Sequence, residues 1–241
     1  MLTVALLVGV AVLSFLAVEI GPLYAADRFR DLREPTDVER GRLDYLRETA
    51  GLDVGRVAIE RRDAGEVGGD EVDAGETGGK DGTKGVGPVE VAVRGPPRRR
   101  VLFLSEAVLD GLDDDVAIGL LAAEAGRVET YYGEFRAVAI AAVLGVLAAL
   151  VTATVPFGAG FASLAAVGFA AFWVGRRVQY AADDRAADAV GAGRVADAFE
   201  RVAAIRDVDP ETGDWSTWFE VQPPLGDRIA ALREREELDG E

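Results

Sequence analysis

Two stretches of this chain run without charge for longer than a helix lying on a soluble core needs. The first extends from Leu2 to Val18 and is closed by Glu19 and the Gly21-Pro22 pair. A membrane-spanning helix takes about 20 apolar residues, with a lower limit near 17, so this run is long enough for an N-terminal anchor over residues 1–26. A cleaved signal peptide is the rival reading. The run lacks a positively charged start, however, and Leu23-Tyr24-Ala25 is a poor cleavage site. The second stretch is longer: 39 uncharged residues separate Arg136 from Arg176. As one helix it would be about twice as long as a hydrocarbon core of roughly 30 Å is thick. Pro156-Phe157-Gly158 falls near its middle. The pattern predicts a transmembrane helical hairpin over 136–176, with both charged ends on one side.

The remaining segments have the periods of a soluble fold. Residues 28–50 read as a helix with Leu43 and Leu46 recurring among charges. Residues 54–61 (Val54, Val57, Ile59) and 89–93 (Val89, Val91, Val93) alternate as half-buried strands do, and Val101–Leu104 makes a third. Between the first two lies Asp63–Gly87, rich in glycine and acid and nearly free of large apolar residues, which predicts a disordered loop inserted in a hairpin. A short helix is expected over 105–112. A longer one runs from Asp115 towards Tyr132, capped by Asp113 or Asp114, with Val116, Leu120, Leu121 and Ala125 inward. Val178–Ile205 reads as helical with a break at Gly191-Ala192-Gly193. Pro223-Pro224 opens a last helix to Leu238, with Ile229 and Leu232 inward. The expected fold is an α+β membrane protein: an N-terminal anchor, a small β-sheet in a mostly helical soluble domain, and a membrane hairpin. That domain is expected in two parts, 27–135 and 177–241, on either side of the hairpin.

Charge adds orientation. Arginines follow the first span (Arg28, Arg30, Arg33) and flank the hairpin, whereas the N-terminus and the hairpin tip carry none. The positive-inside rule then makes this a multi-pass cell-membrane protein with its soluble domain in the cytoplasm. The net charge is −16, and Lys80 and Lys84 are the only lysines. An acidic, lysine-poor surface reads as a halophilic adaptation that keeps a protein dispersed in concentrated salt; an acidic face for a cationic partner is the alternative. Nucleic acid is not an expected partner, because no basic face is available to neutralise phosphates. The chain has neither cysteine nor histidine. Disulfides, thiolate chemistry, the commonest general base and the commonest catalytic zinc ligand are therefore all excluded.

The order of elements, from anchor and small sheet through helix, membrane hairpin and helix to a Pro-Pro-led helix, resembles a family of membrane zinc peptidases. That family includes the HtpX heat-shock protease and the CAAX prenyl endopeptidase, gluzincins of the HExxH type. Val101-Leu102-Phe103-Leu104-Ser105 and Ala107-Val108-Leu109-Asp110-Gly111-Leu112 are similar to the strand and short helix that precede the family's HExxH helix. Asp113 to Ala122 then leads into the position of that motif. The resemblance implies a zincin-like soluble domain.

At the motif the chain reads Ala123-Glu124-Ala125-Gly126-Arg127. The two histidines of the family motif, four residues apart on one helix face, bind zinc. By this resemblance Ala123 and Arg127 stand in their places, and Glu124 keeps the place of the general base. The third ligand, a glutamate in an ExxxD pattern, is matched by Gln179, with the aspartate kept as Asp183. The family's His-Pro-Pro segment appears as Gln222-Pro223-Pro224. With all three ligand positions replaced, no zinc or other cofactor is expected. The resemblance then implies a pseudopeptidase that binds polypeptide or another membrane protein within the bilayer. Two alternatives stay open: an active metallopeptidase with a non-standard site, in which Glu124, Asp183 and Asp184 hold a hard cation, or a structural membrane subunit packed through Gly145, Gly158, Gly160 and Gly168. Trp215 and Trp218 are candidates for lining a peptide groove or for sealing a domain edge.

Overall fold

The computed structural model describes residues 31–61, 89–206 and 223–240, with Gly9, Val10, Val12, Leu13, Phe15, Leu16, Ala17 and Gly21 near the N-terminus. The acidic glycine-rich stretch, Trp215, Trp218 and Gln222 lie outside the described residues. So does most of the expected anchor, although its eight described residues are helical.

The chain enters through a short strand, β1 (Leu32–Arg33), and then α1 (Asp37–Thr49). The helix expected from residue 28 therefore begins nine residues later. Thr36 caps it: the Thr36 hydroxyl accepts from the Glu39 amide, and the Glu39 side chain accepts from the Thr36 amide. Pro35 precedes the cap and disfavours helix for the residue before it.

Strands β2 (Arg56–Glu60), β3 (Val91–Arg94) and β4 (Val101–Ser105) complete a mixed sheet in the order β1-β2-β4-β3. β4 pairs in parallel with β2 and antiparallel with β3. The expected hairpin between β2 and β3 is thus corrected. β4 lies between them. The period of two sorts the faces. Ile59, Leu102 and Leu104 point into the main core, while Ala58 and Phe103 meet on the other face with Leu32 and Val101.

α2 (Glu106–Gly111) leads into α3 (Asp114–Glu129), which is buried at every position from Ala117 to Gly126. A helix apolar all round is a central one. Two glycines let its neighbours come close: a Cβ on Gly119 would lie 2.7 Å from both the Ala198 Cβ and the Arg194 carbonyl oxygen, and one on Gly126 would lie 2.1 Å from the Ala182 carbonyl oxygen.

α4 (Tyr132–Val151) and α5 (Phe157–Val190) are both long and apolar enough to cross a membrane. Pro156 caps α5 at the expected turn. Neither is a soluble core helix, because Val138, Val151, Phe157, Phe161, Phe169 and Trp173 are all exposed. So large an apolar surface on two adjacent helices suits a lipid environment. At the other end, the Arg176 guanidinium lies 5.4 Å from the Phe172 ring and that of Arg177 5.8 Å from the Trp173 ring, as in an interfacial belt. The fold is mostly helical with a small mixed sheet and two candidate membrane-spanning helices, compatible with an α+β membrane protein. Phe15, from the N-terminal segment, joins Ala141, Gly145 and Ala149 of the hairpin around an apolar cavity of about 540 Å³.

α5 continues unbroken from the hairpin into the soluble part, 34 residues in all. It stops at Gly191, whose φ of +91° a residue with a side chain rarely adopts. α6 (Ala192–Ile205) then packs Val195, Phe199 and Val202 inward, and α7 (Leu225–Asp239) adds Ile229 and Leu232.

Candidate functional site

The candidate residues collect where α3 crosses α5. Gly126 sets that crossing, because only a hydrogen in place of a side chain lets the helix backbones approach at Ala182. One residue on from each contact point stand Arg127 and Asp183. Ala123 and Glu124 lie a turn earlier on α3, and Gln179 a turn earlier on α5. Ala123, Glu124, Gln179 and Asp183 are all buried, and the Arg127 side chain keeps about a quarter of its exposure.

Arg127 and Glu124 form a close ion pair along α3. Burial works against the Arg127 charge, but the Glu124 and Asp183 carboxylates outweigh it and hold the guanidinium above its ordinary pKa. The second Glu124 oxygen accepts a hydrogen bond from the Val93 amide at 3.2 Å. One carboxylate therefore ties the central helix to the edge strand. On α5, the Gln179 amide nitrogen donates to Asp183 Oδ1 at 3.3 Å. Gln179 Oε1 and Arg127 Nε are both buried without a partner among the described residues.

Asp183 has a partner on a third helix. Arg228, at the start of α7, donates to it from Nε at 2.7 Å and from Nη2 at 2.6 Å. Both residues are almost fully buried, and the Arg228 guanidinium also lies 4.3 Å from the Phe199 ring. Arg127 contacts Glu124 directly and senses Asp183 only through space, because Arg228 takes both Asp183 oxygens. The signal for Arg228 was faint: it is an arginine among the first residues of a helix otherwise read for Ile229 and Leu232. Asp184 pairs with Arg235 at 3.3 Å, away from the site.

A groove of about 520 Å³ opens beside this cluster, walled by β3 and by the facing ends of α3 and α4, with Glu124 and Arg127 in its lining. β3 is an edge of the sheet. Glu90 receives a hydrogen bond from the Ser105 amide in the β4 pairing, so by alternation the amides of Val91 and Val93 point away from β4; that of Val93 is taken by Glu124, and that of Val91 faces the groove.

The fold is similar to that of S. mikatae Ste24p. Its crystal structure superposes with a TM-score of 0.62 at 16% identity, covering 96% of this chain. The chain spans 58% of the length of that protein. No protein-family model matches the chain, and no curated protein matches it.

The expected gluzincin fold implies a zinc ion, and the side chains present do not fit one. At the positions that the resemblance assigns to ligands, Ala123 has no donor atom, Arg127 carries a fixed positive charge, and Gln179 offers only a neutral amide. Among the described residues no three His, Cys, Asp or Glu side chains stand where they could hold a metal ion. What the arrangement can do is present a strand edge, held at Val93 by Glu124, beside a half-buried ion pair.

Proposed function

We propose that this chain is a membrane-embedded homologue of the zinc peptidases that has lost cleavage and kept polypeptide binding. The fold likeness to Ste24p supports the membrane-peptidase scaffold. The observation that carries the loss of cleavage is the Arg127–Glu124 pair: the residue in the general-base position is engaged by a guanidinium at one oxygen and by the Val93 amide at the other, so water must compete with both partners for it. The groove along β3 supports binding, since an extended peptide pairs with an open strand edge through main-chain hydrogen bonds. The arginines flanking the hairpin favour a cytoplasmic soluble domain.

The test uses the full chain in detergent and a fluorescently labelled, unfolded casein. Anisotropy should rise on mixing, while gel analysis shows the casein intact after prolonged incubation with and without added zinc. Val91→Pro removes one groove-facing amide and should weaken binding without unfolding the sheet. Release of casein fragments by the purified chain would overturn the loss of cleavage, and unchanged binding by the proline variant would overturn the strand-edge mode.

A further inference from the structure

Most arginines outside the spans are held by carboxylates: Arg42 by Asp114, Arg100 by Glu134, Arg185 by Glu129, Arg235 by Asp188. In a chain with a net charge of −16 this is expected, since acids outnumber bases throughout. Against that background, Arg98, Arg99 and Arg136 are all exposed and have no carboxylate partner among the described residues.

These three converge on one level of the molecule. Arg98 and Arg99 sit in the turn between β3 and β4, closed by a hydrogen bond from the Arg99 amide to the Pro96 carbonyl at 2.9 Å. Arg98 occupies the third position of that turn with φ +73°, a slot that glycine fills with less strain. Arg100 fastens the turn to the membrane hairpin through a 2.6 Å bond to Glu134, in the first turn of α4. Arg136 follows two residues later on that helix, and beyond it no charge appears until Arg176. The turn is therefore held at the level where the bilayer surface begins, within reach of arginine side chains that extend towards it.

A groove of about 630 Å³ lies behind the turn, on the face of the sheet away from the main core. Its β4 end is cationic, with Arg98, Arg99 and Arg56. Its carboxylates, Asp31 and Glu34, lie at the β1 edge of the same groove, and Asp31 is engaged by Arg61 at 2.8 Å.

We infer that the Pro96–Arg100 turn, with Arg136, is a binding site for the phosphate of an anionic phospholipid headgroup. Guanidinium groups match phosphate oxygens in charge and geometry, and exposed arginines at the membrane surface each add attraction to an anionic leaflet. The site gives the soluble part a contact with the bilayer separate from the spans and ties β3, the wall of the candidate groove, to lipid composition.

The test reconstitutes the full chain into nanodiscs of phosphatidylcholine with a minor fraction of phosphatidylglycerol, one or the other spin-labelled, in moderate salt. The motionally restricted lipid fraction then reports which headgroup the protein prefers. Wild type should favour phosphatidylglycerol. Arg98→Gly with Arg99→Gln should lower that preference, by about fivefold for each arginine removed. The glycine preserves the turn, and Arg99→Gln alone provides a milder variant whose fold circular dichroism verifies. Arg185→Gln, which removes an arginine elsewhere, should leave the preference intact. Equal preference in wild type and the Arg99→Gln variant overturns the assignment. Loss of the preference on adding millimolar inorganic phosphate would also overturn it, by showing a site for soluble anions in place of lipid.

Discussion

Arg228 and Asp183 join α7 to α5 through two hydrogen bonds of 2.7 and 2.6 Å, in a place where both residues are almost fully buried. Asp183 in turn anchors Gln179 and contributes to the field at Arg127. The pair is the structural centre of the candidate site, although neither residue occupies a ligand position.

Removing one partner strands the other. Arg228→Ala is expected to destabilise the solubilised protein by about 3–5 kcal/mol, because a buried carboxylate loses its countercharge. Replacing both, as Asp183→Leu with Arg228→Met, should recover most of that loss. Arg228→Lys should fall between the two, since an ammonium cannot make the two parallel bonds. Denaturant unfolding of the four proteins provides the comparison; a double variant as unstable as Arg228→Ala would contradict the account.

The crossing of α3 and α5 depends on Gly126. A methyl there would press on the Ala182 carbonyl oxygen, which belongs to a helix backbone and cannot turn aside. Gly126→Ala should cost at least about 3 kcal/mol, at the upper end for overpacking. Gly133→Ala, where a Cβ meets nothing within 4 Å, should leave stability unchanged or slightly raised. Thermal unfolding of the two single variants distinguishes a helix contact from a general intolerance of larger residues.

Much of this was legible in the sequence, for local reasons. The hairpin followed from the missing charges between Arg136 and Arg176, and the break at Gly191 from two glycines in three residues. Both are read along one helix. The start of α1 was also readable, in Thr36-x-x-Glu39 behind Pro35, but the charged periodicity upstream masked it. The place of β4 between β2 and β3 could not be read, because alternation tells which residues face inward and nothing about which strand is the neighbour. The Asp183–Arg228 pair escaped for the same reason, as its partners stand 45 residues apart.

Acid should loosen the start of the soluble fold at one identifiable point. Hydrogen bonds from Arg33, opposed by burial and helped by the Thr36 amide and hydroxyl, hold the Glu39 carboxyl down at about 2 from an ordinary 4.5. The folded value is the lower one, so the stabilisation is fully present above pH 4.5 and is lost as pH falls towards 2. Because Arg33 also bonds Glu106 at 2.8 Å, this point links α1 to α2. Stability measured across that window should fall more steeply for wild type than for Glu39→Gln. Parallel curves would show that Glu39 is not the group responsible.

On the proposed reading a peptidase scaffold has exchanged its metal for an ion pair, with Ala123, Arg127 and Gln179 at the ligand positions. Its most direct test is the zinc content per chain, by elemental analysis after gentle detergent purification and dialysis against micromolar zinc. The wild-type chain should hold well under one zinc, and Ala123→His alone should change nothing while the Arg127 charge remains. Restoring the full set, Ala123→His, Arg127→His and Gln179→Glu together, should raise the content towards one. Tightly held, equimolar zinc in the wild-type chain would contradict the account.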